Sequence, residues 1–330
     1  MSPGDSKPLP SSLLPSPAPE ALPEPLRRRI RARGLRGLVR AAGWMPRSAL
    51  GPGLRPLSRA AFAWRYGEVV ARNVARALPE IERRDSEVAA RVSDRRPFQR
   101  AVADFTALQA AHWIQLARGA QPGSKRGAWV DDLVELDPSI ERLDRVLAEG
   151  RGAIIITAHI GNWELLCARL SRRGARGAVV GRVRARDSSH RWLVDMRRAY
   201  GVETIPQDAS ARAPLRILKE GGLLGLLTDL HVRRIDGVDL PFFGLPARTV
   251  TAAASFARLH RAPLVPVRCV QEGTTGRFRL SVEEPLYLDP SLGREGASLD
   301  LLRRQNAVFE RWIMDTPQQW AWHQRRWNDR

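Results

Sequence analysis

Gly152-Ala-Ile-Ile-Ile-Thr-Ala-His159-Ile-Gly-Asn-Trp-Glu164-Leu-Leu is the stretch on which the reading of the fold turns. This near-continuous apolar run is short enough to read as a buried strand. The run stops at a polar cluster and a helical pattern resumes, so the simplest local structure is strand, turn, helix. Ligands of open α/β sheets bind just outside the carboxyl ends of the strands, which places His159 and Glu164 at such a crevice. In one continuous helix the two side chains would stand about 140° apart. With His159 still in the turn, the loop can fold it back over Glu164, and Gly161 supplies the backbone freedom this needs.

Outward from this stretch, short β-rich runs alternate with amphipathic helical patterns from Trp129 onward, the order of an α/β layer structure. Strands are predicted near Val134 to Leu136, Gly152 to Ala158, Ala178 to Arg182, Glu203 to Pro206, Leu223 to Thr228, Leu264 to Val270 and Phe278 to Val282. Helices are predicted near Ser139 to Ala148, Asn162 to Arg173, Ser188 to Tyr200, Ala211 to Glu220, Thr251 to His260 and Ser298 to Met314. The preceding third reads as helical through Leu57 to Leu78 and Phe98 to Arg118. The fold class is therefore α/β, a mixed central sheet flanked by helices with a helical N-terminal region. No period of 20 to 50 residues repeats, which excludes solenoids and propellers.

Hydrophobic residues make up 43% of the 330, enough for a large core, so wholesale disorder is excluded. Lys and Arg number 54 against 35 Asp and Glu, a net charge of +19, and the expected company is a polyanion or an anionic surface. The lysines are Lys7, Lys125 and Lys219 and every other basic residue is arginine, a bias that also fits a GC-rich genome. Cys167 and Cys269 lie far apart in apolar runs, which leaves neither a disulfide framework nor a zinc cluster and fits a reducing compartment. No run of 18 apolar residues predicts a membrane span. Residues 1–25, rich in Pro and Ser without an apolar h-region, read as a disordered leader rather than a signal peptide. Residues 26–47 mix arginines with Leu26, Ile30, Leu38 and Ala42 on one helical face, a basic amphipathic segment suited to membrane contact. Gly34 and Gly37 weaken that helix, and a solvated arginine-rich linker is the other reading. The domain that carries the chemistry is read as residues 48–330.

A histidine whose tautomer and charge are held by a carboxylate is equipped to deprotonate an alcohol or amine, and no enzyme nucleophile is then required. The plainer reading of His159 is a strand-end histidine bonded to a nearby backbone group. The sequence holds no G-x-S-x-G elbow, P-loop, G-x-G-x-x-G after a strand or H-E-x-x-H, so hydrolase, NTPase, dehydrogenase and zincin readings lose their main support. His112, His190, His260 and His323 have no acidic partner at suitable spacing and read as structural or surface residues. His231, two residues after Asp229 at a strand end, is placed to reach the site. The terminal tryptophans are expected to pack in the core or over a pocket rather than face lipid.

His159-Ile-Gly-Asn-Trp-Glu164 resembles the H-x4-D/E block of the lysophospholipid acyltransferase superfamily, in the form used by the bacterial lipid A biosynthesis (late) acyltransferase family. Asp229 followed by Gly237-Val-Asp-Leu-Pro-Phe-Phe-Gly244 and Pro246-Ala is similar to that family's stretch from a strand-end Asp to P-F-F-G-x-P-A. Ala262-Pro-Leu-Val-Pro-Val267 resembles its A-P-V-V-P-V strand. Pro317-Gln-Gln-Trp320-Ala-Trp322-His-Gln-Arg325-Arg326-Trp327 resembles P-E-Q-W-x-W-x-x-R-R-W, and Asn73 to Glu80 resembles the N-L-x-x-x-F-P-E box. The resemblance runs from about Tyr66 to Trp327. It departs after Asp229, where Leu230 and His231 stand in place of the family's usual Gln.

The resemblance implies a glycerolipid acyltransferase-like fold and a chain that moves a fatty acyl group from a thioester to a hydroxyl of a lipid A-type or other membrane lipid. His159 would be the base and Glu164 the carboxylate that orients it. Asn162, Arg182 and Asp229 would be substrate-binding, with Asn162, Arg182 and turn N–H groups as donors to the oxyanion; Arg184 and Arg186 are close enough to exchange with Arg182. It implies no metal or bound cofactor. Its partners would be acyl carrier protein or acyl-CoA as donor and an anionic membrane lipid as acceptor, with peripheral attachment to the cytoplasmic face of the bacterial inner membrane. A nucleic-acid-binding protein would explain the charge but predicts a recognition motif that is absent. A lipid-binding protein that kept the fold without turnover is the remaining alternative.

Overall fold

The computed structural model describes residues 46–119, 127–183, 188–232, 235–273 and 276–327, together with the helical Gly34 and Gly37. The leader and all of the basic segment up to Met45 except those two glycines lie outside the described residues, as do Arg184 and Arg186. The N-terminal helical region is α1 (Arg47–Ala61), a π-helical turn (Phe62–Tyr66), α2 (Gly67–Arg84), α3 (Ser86–Ser93) and α4 (Arg95–Gly119). Then follow α5 (Ala128–Leu133), β1 (Val134–Leu136), α6 (Ile140–Ala148), β2 (Ala153–Thr157), α7 (Trp163–Arg172), β3 (Gly177–Gly181), α8 (Ser188–Ala199), β4 (Val202–Pro206), α9 (Arg212–Lys219) and β5 (Leu223–Leu227). The chain continues through β6 (Gly237–Phe242), β7 (Leu245–Val250), α10 (Ala252–His260), β8 (Leu264–Gln271), β9 (Phe278–Val282) and α11 (Arg294–Asp315).

Seven strands form one mixed sheet in the order β1-β9-β8-β2-β5-β3-β4. Every neighbouring pair is parallel except β8 and β9. The apolar run Ala153–Thr157 is the central strand β2, buried at every position between β8 and β5. Its side chains divide by the period of two: Ile154 and Ile156 enter one apolar core with Leu224, Leu226 and Phe309, while Ala153 and Ile155 enter another with Leu223, Val265 and Ile114. Both faces of the sheet are thus covered, which is what a continuous rather than alternating apolar run requires.

The hairpin β6–β7, which carries the Pro-Phe-Phe-Gly block, is an addition to the expected elements. Prolines interrupt the alternation that marks a strand, yet here Pro241 and Pro246 face each other in a two-stranded ribbon, where the missing N–H groups cost little. Phe243 and Gly244 turn the ribbon with φ of 47° and 73°. The loop side of Phe243 is held by its backbone N–H, which donates to buried Glu310 on α11 at 2.8 Å.

The C-terminal block closes the structure. A 3₁₀ turn (Pro317–Gln319) leads into a segment in which Trp320, Trp322 and Trp327 are all buried, so these rings pack as expected rather than facing lipid. Asn73 of α2 clamps that segment, donating from Nδ2 to the carbonyls of Trp322 (2.7 Å) and Gln324 (2.9 Å). Removing both bonds strands two acceptors, so Asn73→Ala should lower stability by about 2 to 3 kcal/mol, measurable by urea denaturation. His112 is buried on α4 with its ring edge-on to Phe278, and burial pushes its pKa down to about 4. The unfolded chain takes up this proton at higher pH than the folded one, so the stability His112 contributes is present above its ordinary value of 6.5 and lost as pH falls toward 4. In His112→Leu the loss of stability between pH 7 and pH 5 should shrink by about 2 kcal/mol relative to the native chain.

Candidate functional site

His159 follows β2 by two residues and Asp229 follows β5 by two, and these strands pair in register, so the fold brings both residues to the same sheet edge. The turn after His159 is exacting. Gly161 has φ of +59°, and a Cβ there would stand 2.0 Å from the carbonyl oxygen of Cys269, a position only glycine can fill. The N–H of Asn162 donates to that same carbonyl at 2.8 Å, and the N–H of Gly161 donates to Gln319 O at 3.1 Å. Gln109 of α4 secures the turn from the other side, donating to Gly161 O at 2.8 Å. The C-terminal segment runs antiparallel to it: Ile160 bridges Trp320, and Ala321 N–H donates to His159 O at 2.9 Å.

His159 Nδ1 lies 2.7 Å from Asp229 Oδ1. The other carboxylate oxygen accepts the His159 backbone N–H at 2.9 Å and the Trp320 indole N–H at 2.8 Å. Burial raises the pKa of the Asp229 carboxyl, but the charge and hydrogen bonds of His159 and the Trp320 N–H outweigh it and hold the group below the ordinary carboxylate value. An ionised carboxylate only accepts hydrogen bonds, so Nδ1 donates to Asp229 and Nε2 is the ring nitrogen left for the cleft. The Trp163 ring meets the imidazole edge-on at 4.9 Å.

Here the structure corrects the expected pairing. Glu164 is 2% exposed and does not hold His159; it accepts from Arg197 Nε at 2.9 Å and Nη2 at 2.5 Å, a two-pronged ion pair with α8. Once α7 starts at Trp163, Glu164 lies in its first turn and faces α8, while His159 stays behind in the extended chain beside β5. Asn162 is also reassigned: it is fully buried, its Oδ1 accepts the Leu165 N–H at 3.2 Å, and it caps α7 rather than lining the cleft. The turn N–H groups of His159, Gly161 and Asn162, expected as oxyanion donors, are all engaged within the protein. Asp229, expected at the substrate, lies wholly under His159.

The cleft beside His159 has a volume of about 900 Å³. Arg182 lines it, with Gly181 at the end of β3, and so do Glu164 and Arg197. Trp113, Trp163, Leu193, Leu230 and Val232 give it apolar walls, and His231 and His323 also border it. Sequence reasoning missed the Asp229–His159 pairing and Arg197, and read His323, which borders the cleft, as a structural or surface residue. The first was detectable, because a polar residue at the end of each of two neighbouring parallel strands marks one crevice; the others are set by helix orientation and by the C-terminal segment.

The family model for bacterial lipid A biosynthesis acyltransferase matches residues 112–329. A phosphatidylinositol mannoside acyltransferase of Mycobacterium tuberculosis is 29% identical over 145 residues, 43% of this chain and 46% of the relative, so the match spans about half of that protein. A phosphatidylinositol mannoside acyltransferase of Mycolicibacterium smegmatis is 28% identical over 225 residues, 67% of this chain and 70% of the relative. With well over half of its length matched by the family model, the chain belongs to the bacterial lipid A biosynthesis acyltransferase family.

Proposed function

We propose that the chain transfers a fatty acyl group from a thioester to a sugar hydroxyl of a membrane glycolipid, with His159 as general base and Asp229 as the carboxylate that orients it. The observation that carries this reading is the buried Asp229 on His159 Nδ1 at the wall of a large cleft. Lipid A and mannosylated phosphatidylinositol share sugar hydroxyls on an acylated anionic lipid, so the acceptor class rests on the family and the relatives together. His159 Nε2 takes the hydroxyl proton as the oxygen bonds to the thioester carbonyl carbon and the π pair moves onto the carbonyl oxygen. Collapse restores the carbonyl and breaks the carbon–sulfur bond, and the departing thiolate takes the proton back from His159. The apolar cleft walls suit an acyl chain, and Arg182 suits an anionic headgroup or donor phosphate. Glu164 acts at one remove, holding the buried Arg197 guanidinium in place.

The donor we favour is acyl carrier protein, an acidic molecule that a chain of net charge +19 attracts. Attachment to an anionic leaflet is peripheral in this reading: no described helix is long and apolar enough to cross a membrane. Leu57 on α1 and Trp64 in the π-helical turn are 67% and 86% exposed, with Arg55 and Arg65 exposed beside them. An exposed tryptophan next to an arginine is suited to a headgroup layer, where each basic residue contributes about 1 kcal/mol.

His159→Ala should lower kcat/KM by about 100-fold to 10,000-fold, and Asp229→Asn comparably because it favours the wrong tautomer. Glu164→Gln should instead lower stability by several kcal/mol, since it leaves Arg197 as an unpaired buried cation. Initial rates and thermal melts of the three variants separate these effects, and a folded His159→Ala with native turnover would remove the mechanism. Replacing Leu57 and Trp64 together by Ala should weaken co-sedimentation with vesicles containing anionic lipid while leaving turnover on a dispersed short-chain acceptor intact. Unchanged sedimentation would place the contact elsewhere, with residues 26–47 the next segment to delete.

A further inference from the structure

Resting on the acyl-transfer reading, one requirement of the site remains unassigned. The tetrahedral oxyanion needs a donor within hydrogen-bond reach. Of the expected donors, the N–H groups of His159, Gly161 and Asn162 already donate to Asp229, Gln319 and Cys269, the Asn162 side chain is sealed beneath α7, and Arg182 is assigned above to the anionic headgroup or donor phosphate.

His323 lines the same cleft as His159. Ala321 is bonded to the His159 carbonyl, and two residues further the same antiparallel segment delivers His323 into the cleft that His159 lines. Phe62 and Tyr66 fix its ring, each approaching edge-on with centroids 5.4 Å away, so the imidazole has little room to rotate. Nδ1 is buried without a hydrogen-bond partner among the described residues, which leaves Nε2 as the nitrogen on the accessible side of the ring. Burial, with a smaller contribution from charge on His159, pushes its pKa down to about 4, so the ring is neutral at physiological pH and carries a single N–H. A buried N–H without a partner is rarer than an unpaired acceptor, so the proton belongs on Nε2.

We propose that His323 contacts the substrate in this cleft, donating from Nε2 to the thioester carbonyl oxygen and to the oxyanion which that oxygen becomes. The interaction strengthens as the π pair moves onto oxygen and relaxes when the carbonyl re-forms and the thiolate leaves. His323 transfers no proton; His159 carries the acceptor's proton to the leaving group. Neutrality lets His323 stand near His159 without opposing the positive charge that His159 gains on taking the proton.

The test uses the full-length chain with a long-chain acyl-CoA or an acyl carrier protein thioester and a short-chain mannosylated phosphatidylinositol acceptor, with His159→Ala as the control for the underlying reaction. His323→Phe, which keeps the aromatic packing and removes the donor, should lower kcat by about 100-fold with little change in the acceptor KM. His323→Gln, which restores an N–H, should recover much of that loss. Nitrogen-15 NMR of the native chain should find His323 neutral with its proton on Nε2 between pH 5 and 8, a readout that stands even where a variant misfolds. Native kcat in folded His323→Phe, or a proton on Nδ1, overturns the proposal while leaving the His159 mechanism in place. A native chain that turns over none of these donors overturns the acyl-transfer reading and this proposal with it.

Discussion

The lie of residues 319–323 against the turn at 159–161 is the constraint on which the rest of the site depends. Gln319 O accepts from Gly161, Ala321 N–H donates to His159 O, and the Trp320 indole reaches Asp229. These contacts join the chain's last segment to the ends of two central strands. Asn73 reaches the same segment from α2, and Gln319 clasps Gln271 at the end of β8 through both amide ends, accepting from its N–H at 2.9 Å and donating to its carbonyl at 2.8 Å. A backbone bonded on several sides has little freedom, which suits the general-base role proposed for His159.

Two buried carboxylates serve this site in different ways because their surroundings differ. Among the described residues no guanidinium is hydrogen-bonded to Asp229; its bonds come from His159 and Trp320, so its charge is directed at the imidazole. Glu164 is committed to Arg197, where each ion offsets the cost of burying the other. An arginine on Asp229 would draw its charge away from the histidine, and the separation of the two acids onto different elements avoids this. Arg326 illustrates the same economy: buried beside Phe242, with its guanidinium carbon 4.3 Å from the ring centroid, it donates to Arg248 O and Thr249 Oγ1, and burial lowers its pKa to about 10. The arginines of the terminal block are therefore not all surface charge.

The aromatic residues divide by environment in a way that composition conceals. Trp312, Trp320, Trp322 and Trp327 are core, whereas Trp113 and Trp163 form an edge-to-face pair at 5.6 Å on the cleft wall and Trp64 stands in solvent. Burying four indoles in the C-terminal third gives that region large apolar contacts, and the indole N–H groups find partners: Glu283 for Trp312, Asp229 for Trp320, Pro317 for Trp322 and Phe242 for Trp327.

From its sequence alone this protein is legible as an α/β sheet with a buried strand, because an uninterrupted apolar run and a regular alternation of patterns are local properties of the chain. All seven strands of the main sheet lie where those patterns place them, and His159 is recognisable because a histidine that ends such a strand stands at the ligand crevice. The hairpin β6–β7 was hidden, since its prolines break the alternation that marks a strand. Which carboxylate serves His159 was decided only by tertiary structure. Glu164 is near in sequence, but the helix that begins at Trp163 turns it toward Arg197, whereas Asp229, seventy residues away, arrives at the adjacent strand end through the in-register pairing of β2 and β5. Spacing along a chain constrains contacts within one element; contacts between elements depend on strand order and helix orientation, and these are set by the packing of the whole sheet.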